Sequence, residues 1–156
     1  MSELPSASFF QRFRERWQLD WNGPKPAGLA RGVLFTYILF AVTHAIVRLG
    51  WTFVSPEMRD EFGYLHFLGF GTGDFWISGF LAAVYLVTGA TRFIVGTIGL
   101  LVLKAVLNSI LTISRIGLEM SMVLPSLNVV LISCLWILVL WKWVLPFRSN
   151  VQSVVS

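Results

Sequence analysis

The sequence predicts an all-α integral membrane protein, with four transmembrane helices and an N-terminal amphipathic interfacial helix. Three observations lead there. Of 156 residues, 56% are hydrophobic and 13% charged, about half the charged share of an ordinary soluble domain. The apolar residues gather into runs long enough to cross a bilayer, which takes about 20 residues as helix. The lysines and arginines sit beside the ends of those runs, where a charge-based topology rule puts them. No barrel-strand alternation runs through the segments, so helices must satisfy their backbone polar groups.

The first element precedes the apolar runs. In SASFFQRFRERWQLDW, Ser8 and Gln11 have capping-box spacing. Phe9, Phe13 and Trp17 recur every four residues on one face, with Arg12, Arg14 and Arg16 mostly on the other. That pattern predicts a helix lying in the membrane interface, against anionic inner-leaflet lipids. It acts as an anchor that sets the entry angle of the first span, or as a docking surface for a partner. Residues 1–30 form this cytoplasmic segment, and NGPKPAG links it to the bundle. Charges of both signs ahead of a long first apolar run argue against a cleaved signal peptide. With serine at position 2 and Val-Val-Ser at the end, no lipidation signature is visible.

The transmembrane bundle is expected over residues 31–148, followed by a short tail, 149–156. Residues 32–54 make the first span. Residues 74–114 form one apolar run too long for a single crossing, and TGATR at 88–92 supplies a glycine and a charge on which to turn. The fourth span, 124–145, is opened by Pro125 near its first turn and closed by Pro146.

Orientation follows from the basic residues. An N-terminus inside puts Arg12, Arg14, Arg16, Lys25, Arg31, Arg92, Lys142 and Arg148 on the cytoplasmic side, leaving Arg59 and Arg115 outside with Glu57, Asp60, Glu61, Asp74 and Glu119. Both termini are thus expected in the cytoplasm of a bacterial-type inner membrane. Trp141 and Trp143, flanking Lys142, fit an anchor at the inner face; Trp51 and Trp76 fit the outer face.

Within this frame Lys104 lies in the middle of a span. At 1.5 Å per residue it stands about 18 Å above Arg92, with Asn108 at about 24 Å. His44 and Arg48 stand about 20 and 25 Å above Arg31, while Asp74 and Asn128 reach about 25 and 27 Å on their own spans. His44, Arg48, Asp74, Lys104, Asn108 and Asn128 therefore fall into one slab, in the outer half of the bilayer. Faces agree with heights: Lys104, Asn108, Arg115 and Glu119 share one side of the third span, Thr36, His44 and Arg48 one side of the first, and Asp74, Ser78, Tyr85 and Thr88 one side of the second. Such stripes are costly against lipid and reasonable against each other. Lys104 is expected to reach Asp74 as an ion pair. The small-residue step Gly79–Ala83 allows close helix approach.

No catalytic constellation is visible, so an enzyme is not expected. GFGTGD, residues 69–74, has no strand before it, against a phosphate-cradling loop. The acid-rich PEMRDEFGYLHFL ahead of it leaves too little apolar length for the pore helix of a selectivity filter. It is expected to be an outer loop ending with Asp74 as the N-cap of the second span. His44 and His66 lie on different segments without axial-ligand spacing, and the single cysteine, Cys134, is expected to be a buried packing residue. No cofactor or metal is expected. The net charge of +4 suits a membrane surface better than nucleic acid. A chain with so little outside the bilayer is expected to act as an accessory or assembly subunit, self-associated or with other membrane subunits. The alternatives are a small oligomeric channel or carrier using the polar slab and, more weakly, a lipid-modifying enzyme with Asp74, His44 and Lys104 as acid/base groups.

Overall fold

The structure, a computed structural model, describes residues 23–70, 74–115 and 120–145. The predicted interfacial helix with Phe9, Phe13 and Trp17, the tail, and Glu119, Pro146 and Arg148 lie outside them. The described residues form helices without strands: α1 (Gly28–Phe53), α2 (Pro56–Glu61), α3 (Gly63–Phe67), α4 (Trp76–Thr88), α5 (Thr91–Arg115) and α6 (Met120–Trp143). Three of these, α1, α5 and α6, are long and apolar enough to cross a membrane; α4 is apolar but has 13 residues.

Local chemistry sets the boundaries. α1 stops at Ser55–Pro56, because the residue before a proline is pushed out of the helical region; Ser55 sits at φ −62°, ψ 156° and caps α2 by accepting the Met58 N–H at 3.4 Å. The connection after α1, expected as a loop, is thus built of two short helices, further tied down by the Arg59 Nε bond to the Val54 carbonyl at 3.1 Å. The long apolar run breaks within the predicted TGATR. Gly89 takes φ +69°, which costs glycine little, and its N–H bonds the Tyr85 carbonyl at 2.7 Å. A side chain there would also strike the carbonyls of Gly23 and Pro24, so the linker is seated directly on the turn.

The sixth helix departs from expectation. It begins at Met120, so Pro125 lies inside it and does not open it. Pro125 is buried, with its carbonyl beside Gly69. A proline within a helix removes one backbone bond. Cys134, expected in the core, lies on the exposed face of α6.

α1 packs on α4, α4 on α5, α5 on α6, and α1 closes against α6. The core between them holds Leu34, Tyr37, Ala41, Phe75, Ala82, Ile94, Leu101, Val129 and Leu140. At the α1–α4 crossing, Ala41 Cβ rests over Gly79, where any side chain would collide with it. The small residue expected to permit close approach is therefore the one on which α1 sits.

A buried polar ladder crosses the same region. Tyr37 Oη and Ser78 Oγ lie 2.7 Å apart, Ser78 Oγ donates to the Phe75 carbonyl at 2.9 Å, and Thr97 Oγ1 reaches the Ser78 carbonyl at 3.2 Å. With the Ser78 proton committed to Phe75, Tyr37 is the donor to Ser78. The ladder joins α1, α4 and α5. Tyr37→Phe is expected to cost about 1 kcal/mol, a typical net value for one buried hydrogen bond. Unfolding in detergent measures it, and Ser78→Ala in the same background should add little.

Candidate functional site

Gly23 lies against Gly89, so the start of α1 and the α4–α5 turn share one end of the bundle. The charged residues of the spans gather toward the other end, around Phe75, where α4 begins. α1 carries His44 and Arg48 there, one helical turn apart. α5 carries Lys104 from the opposite flank.

The geometry differs from the expected ion pair. The Asp74 carboxylate is taken by Arg48, with Nε to Oδ1 at 3.0 Å. Lys104 Nζ instead donates to the backbone carbonyl of Asp74 at 2.5 Å, and stands 4.3 Å from the centre of the Phe75 ring. Asp74 is therefore bridged from both sides, by its side chain to α1 and by its main chain to α5. It is not the N-cap of α4 either. That position falls to Phe75, which has no side-chain acceptor to offer. A carboxylate engaged by a guanidinium is not turned toward the first-turn N–H groups, which explains the shift. The Phe75 ring, fully buried, gives the Lys104 ammonium a π face in place of water.

His44 is 1% exposed and boxed by aromatic rings: Phe70 stacked at 4.8 Å, Phe75 edge-on at 4.8 Å and Phe40 at 5.6 Å. Arg48, Asp74 and Lys104 are within electrostatic reach of the imidazole, and the Gly69 backbone lies beside it. Neither ring nitrogen has a well-formed hydrogen bond among the described residues. Gly69, at φ +87°, also packs against Val129, which fixes the segment carrying Phe70 onto α6.

His44, Arg48, Asp74 and Lys104 thus converge. Asn108 is on the same face of α5 as Lys104, but its Nδ2 turns back to the Lys104 carbonyl at 2.9 Å. Asn128 is half-buried on α6, one residue from Val129. Thr36, predicted to share a face with His44, is exposed and bonds its own helix at the Gly32 carbonyl at 3.0 Å. Eight residues at 100° each place it about 80° from His44; Tyr37, seven residues from His44, is the true companion. Tyr37, Phe40, Phe70 and Phe75 were not singled out from the sequence, and the seven-residue spacing of Tyr37 and His44 was the available signal. The side chain of Arg115 and all of Glu119 lie outside the described residues.

Elsewhere, His66 is held apart on α3, its ring stacked on Trp51 at 6.0 Å. Among the described residues no three histidine, cysteine or carboxylate side chains gather as metal ligands do. At the end of α6, Trp141 and Trp143 are exposed, and Lys142 Nζ lies 5.2 Å from the centre of the Trp143 ring. No protein family, curated protein or solved structure was found that matches this chain.

Proposed function

We propose that this chain is a four-crossing protein of a bacterial-type cytoplasmic membrane, acting as an accessory or assembly subunit within a larger membrane complex or a homo-oligomer. The observation that carries the reading is how little of its spanning helices the chain buries itself: 22% of the apolar stretch of α1 and of α5, and 33% of that of α6. Val95, Val102, Leu103, Val106 and Ile110 on α5, and Leu127, Leu131, Leu135 and Leu138 on α6, all point outward. The charged groups Arg48, Asp74 and Lys104, by contrast, meet one another at one end of the bundle and tie α1, α4 and α5 together there. Paired charge and outward apolar surface are what a helix set needs when acyl chains or neighbouring helices surround it.

Connectivity supports the fourth crossing. With Gly23 on Gly89, α1 and α5 start at one end, so the chain returns between Phe53 and Thr91, and α4 is the returning helix. At 13 residues it is about 20 Å long against a hydrocarbon core of about 30 Å. Arg31, Arg92 and Lys142 then fall on the cytoplasmic side with both termini.

The test is gentle extraction of the tagged full chain, with identification of whatever accompanies it. Co-purifying membrane proteins at fixed stoichiometry, or a discrete homo-oligomer, are the expected results. A monomer alone in lipid nanodiscs sinks the proposal. A homo-oligomer that passes ions into vesicles, and loses that flux but not its assembly in Lys104→Met, replaces it with the channel reading.

A further inference from the structure

We infer that α1 is a self-association helix: a second copy of this chain, inserted the same way round, docks in parallel along its outward face, with the two Thr43 hydroxyls bonding across a twofold axis. The inference rests on the assembly reading and deepens it by naming the partner.

Spacing is the first argument. From Gly32 the outward positions of α1 continue through Thr36, Leu39, Thr43, Ile46 and Gly50, steps of four and three in strict alternation. Every one of them is exposed. A helix of 3.6 residues per turn keeps a 3.5-residue seam in line by supercoiling around another helix. Size follows the same repeat: Thr36, Thr43 and Gly50 recur every seven residues, alternating with the larger Leu39 and Ile46. The small positions let two backbones approach, and the large ones between them act as knobs. Nothing lies within 4 Å of where a side chain would stand at Gly32 or Gly50, so the chain's own helices leave both positions open.

Chemistry is the second. The Thr36 and Thr52 hydroxyls bond carbonyls of their own helix, at Gly32 and Leu49. Thr43, about 18 Å above Arg31, faces outward and makes no such bond among the described residues. Acyl chains offer it no partner. A hydroxyl is donor and acceptor at once, so two copies of the same one satisfy each other. Two chains of one topology also hold Thr43 at one depth, which singles out a second copy over a different protein. A charged side chain would repel its own copy across such an axis; this face carries none, because Arg48 turns to Asp74.

Extent is the third. The seven large side chains that α1 exposes, from Leu29 to Phe53, present on the order of 100 Å² each. Together they approach the about 800 Å² that each partner brings to a stable interface. A groove of about 320 Å³ adjoins the seam, with Gly32 and Thr36 on its α1 wall and Leu135, Trp136 and Val139 of α6 opposite. Phe35, 62% exposed beside the seam, flanks the partner's α1 in a parallel pair and enters this groove on the other copy.

The experiment puts single cysteines into the full chain carrying Cys134→Ser and oxidises each in the membranes of the expressing cell. Thr36→Cys, Leu39→Cys, Thr43→Cys and Ile46→Cys are expected to give disulfide-linked pairs on non-reducing gels. Val102→Cys and Leu103→Cys, also on an exposed face but of α5, are not. Energy transfer between labelled copies in detergent follows the unlinked pair. Thr43→Val should weaken it about threefold, the worth of one interhelical hydrogen bond in a bilayer, and Thr43→Ser should not. Gly50→Leu meets no atom of its own chain and should weaken the pair tenfold or more by holding the helices apart. Crosslinking confined to α5, or self-association untouched by Gly50→Leu, overturns the inference and leaves the assembly reading standing. So does a chain that carries other membrane proteins but no second copy, whereas a lone monomer overturns both. The cysteine pattern decides the matter even if Gly50→Leu fails to fold.

Discussion

Asp74→Asn is expected to lower the stability of the folded chain by about 2 kcal/mol, somewhat less than the roughly 3 kcal/mol of an unpaired charge at a bilayer centre. The Arg48–Asp74 pair is at the end of the bundle, with side chains 39% and 47% exposed, which is why the lower figure applies. What the substitution removes is the counter-charge of Arg48, not the acceptor of Lys104, because asparagine keeps the backbone carbonyl that Lys104 uses. The two lysine and arginine partners should therefore separate cleanly in double-mutant cycles. Arg48→Gln with Asp74→Asn should recover much of the loss, giving a coupling above about 1 kcal/mol, whereas Lys104→Gln with Asp74→Asn should show less than about 0.5 kcal/mol. Chemical unfolding in detergent supplies the numbers. The reverse ranking would mean that the carboxylate belongs to Lys104 after all.

Gly79→Leu should have a larger effect, about 3 kcal/mol or more, because an overpacked contact forces backbones to move. Ala41 Cβ already occupies the space a side chain at 79 would need. Separating α1 from α4 there also stretches the Tyr37–Ser78 bond one residue away and opens the contact through which Arg48 reaches Asp74. Ala41→Gly should restore part of the loss in Gly79→Ala but little of it in Gly79→Leu, whose longer side chain meets more than one atom. Melting temperature and yield in mild detergent are the readouts. A Gly79→Leu variant as stable as the parent would show that the crossing at Ala41 is not close.

Legibility in the sequence followed the range of the interaction. The break at residues 88–92 was readable because a glycine able to adopt φ +69° and the length of the apolar run both act locally. The end of α1 was set by Ser55–Pro56, again a neighbour effect. Pro125 was misplaced because a proline is compatible with a first turn or with a tolerated interior position, and which holds depends on residues 120–124 continuing the helix upstream. Rise per residue put Lys104 about 7 Å below Asp74, within reach of the lysine stem, and the amine does reach that residue, at its backbone carbonyl. Which oxygen of Asp74 the amine takes was not readable, because that depends on Arg48 competing from another helix. The aromatic box of His44 draws Phe70 and Phe75 from a segment whose path no periodicity describes. Thr36 was put on the wrong face through an eight-residue spacing treated as an integral number of turns, an error the angle alone would have corrected.

The brevity of α4 also bears on biosynthesis. WISGFLAAVYLVT is too short to be held across a bilayer by itself as it leaves the ribosome, while α5, two residues after it, is not. The two are expected to enter as one helical hairpin, α5 supplying the partitioning energy and Gly89 the bend, so that a stop codon placed after α4 would leave that segment uninserted in a glycosylation-reporter assay.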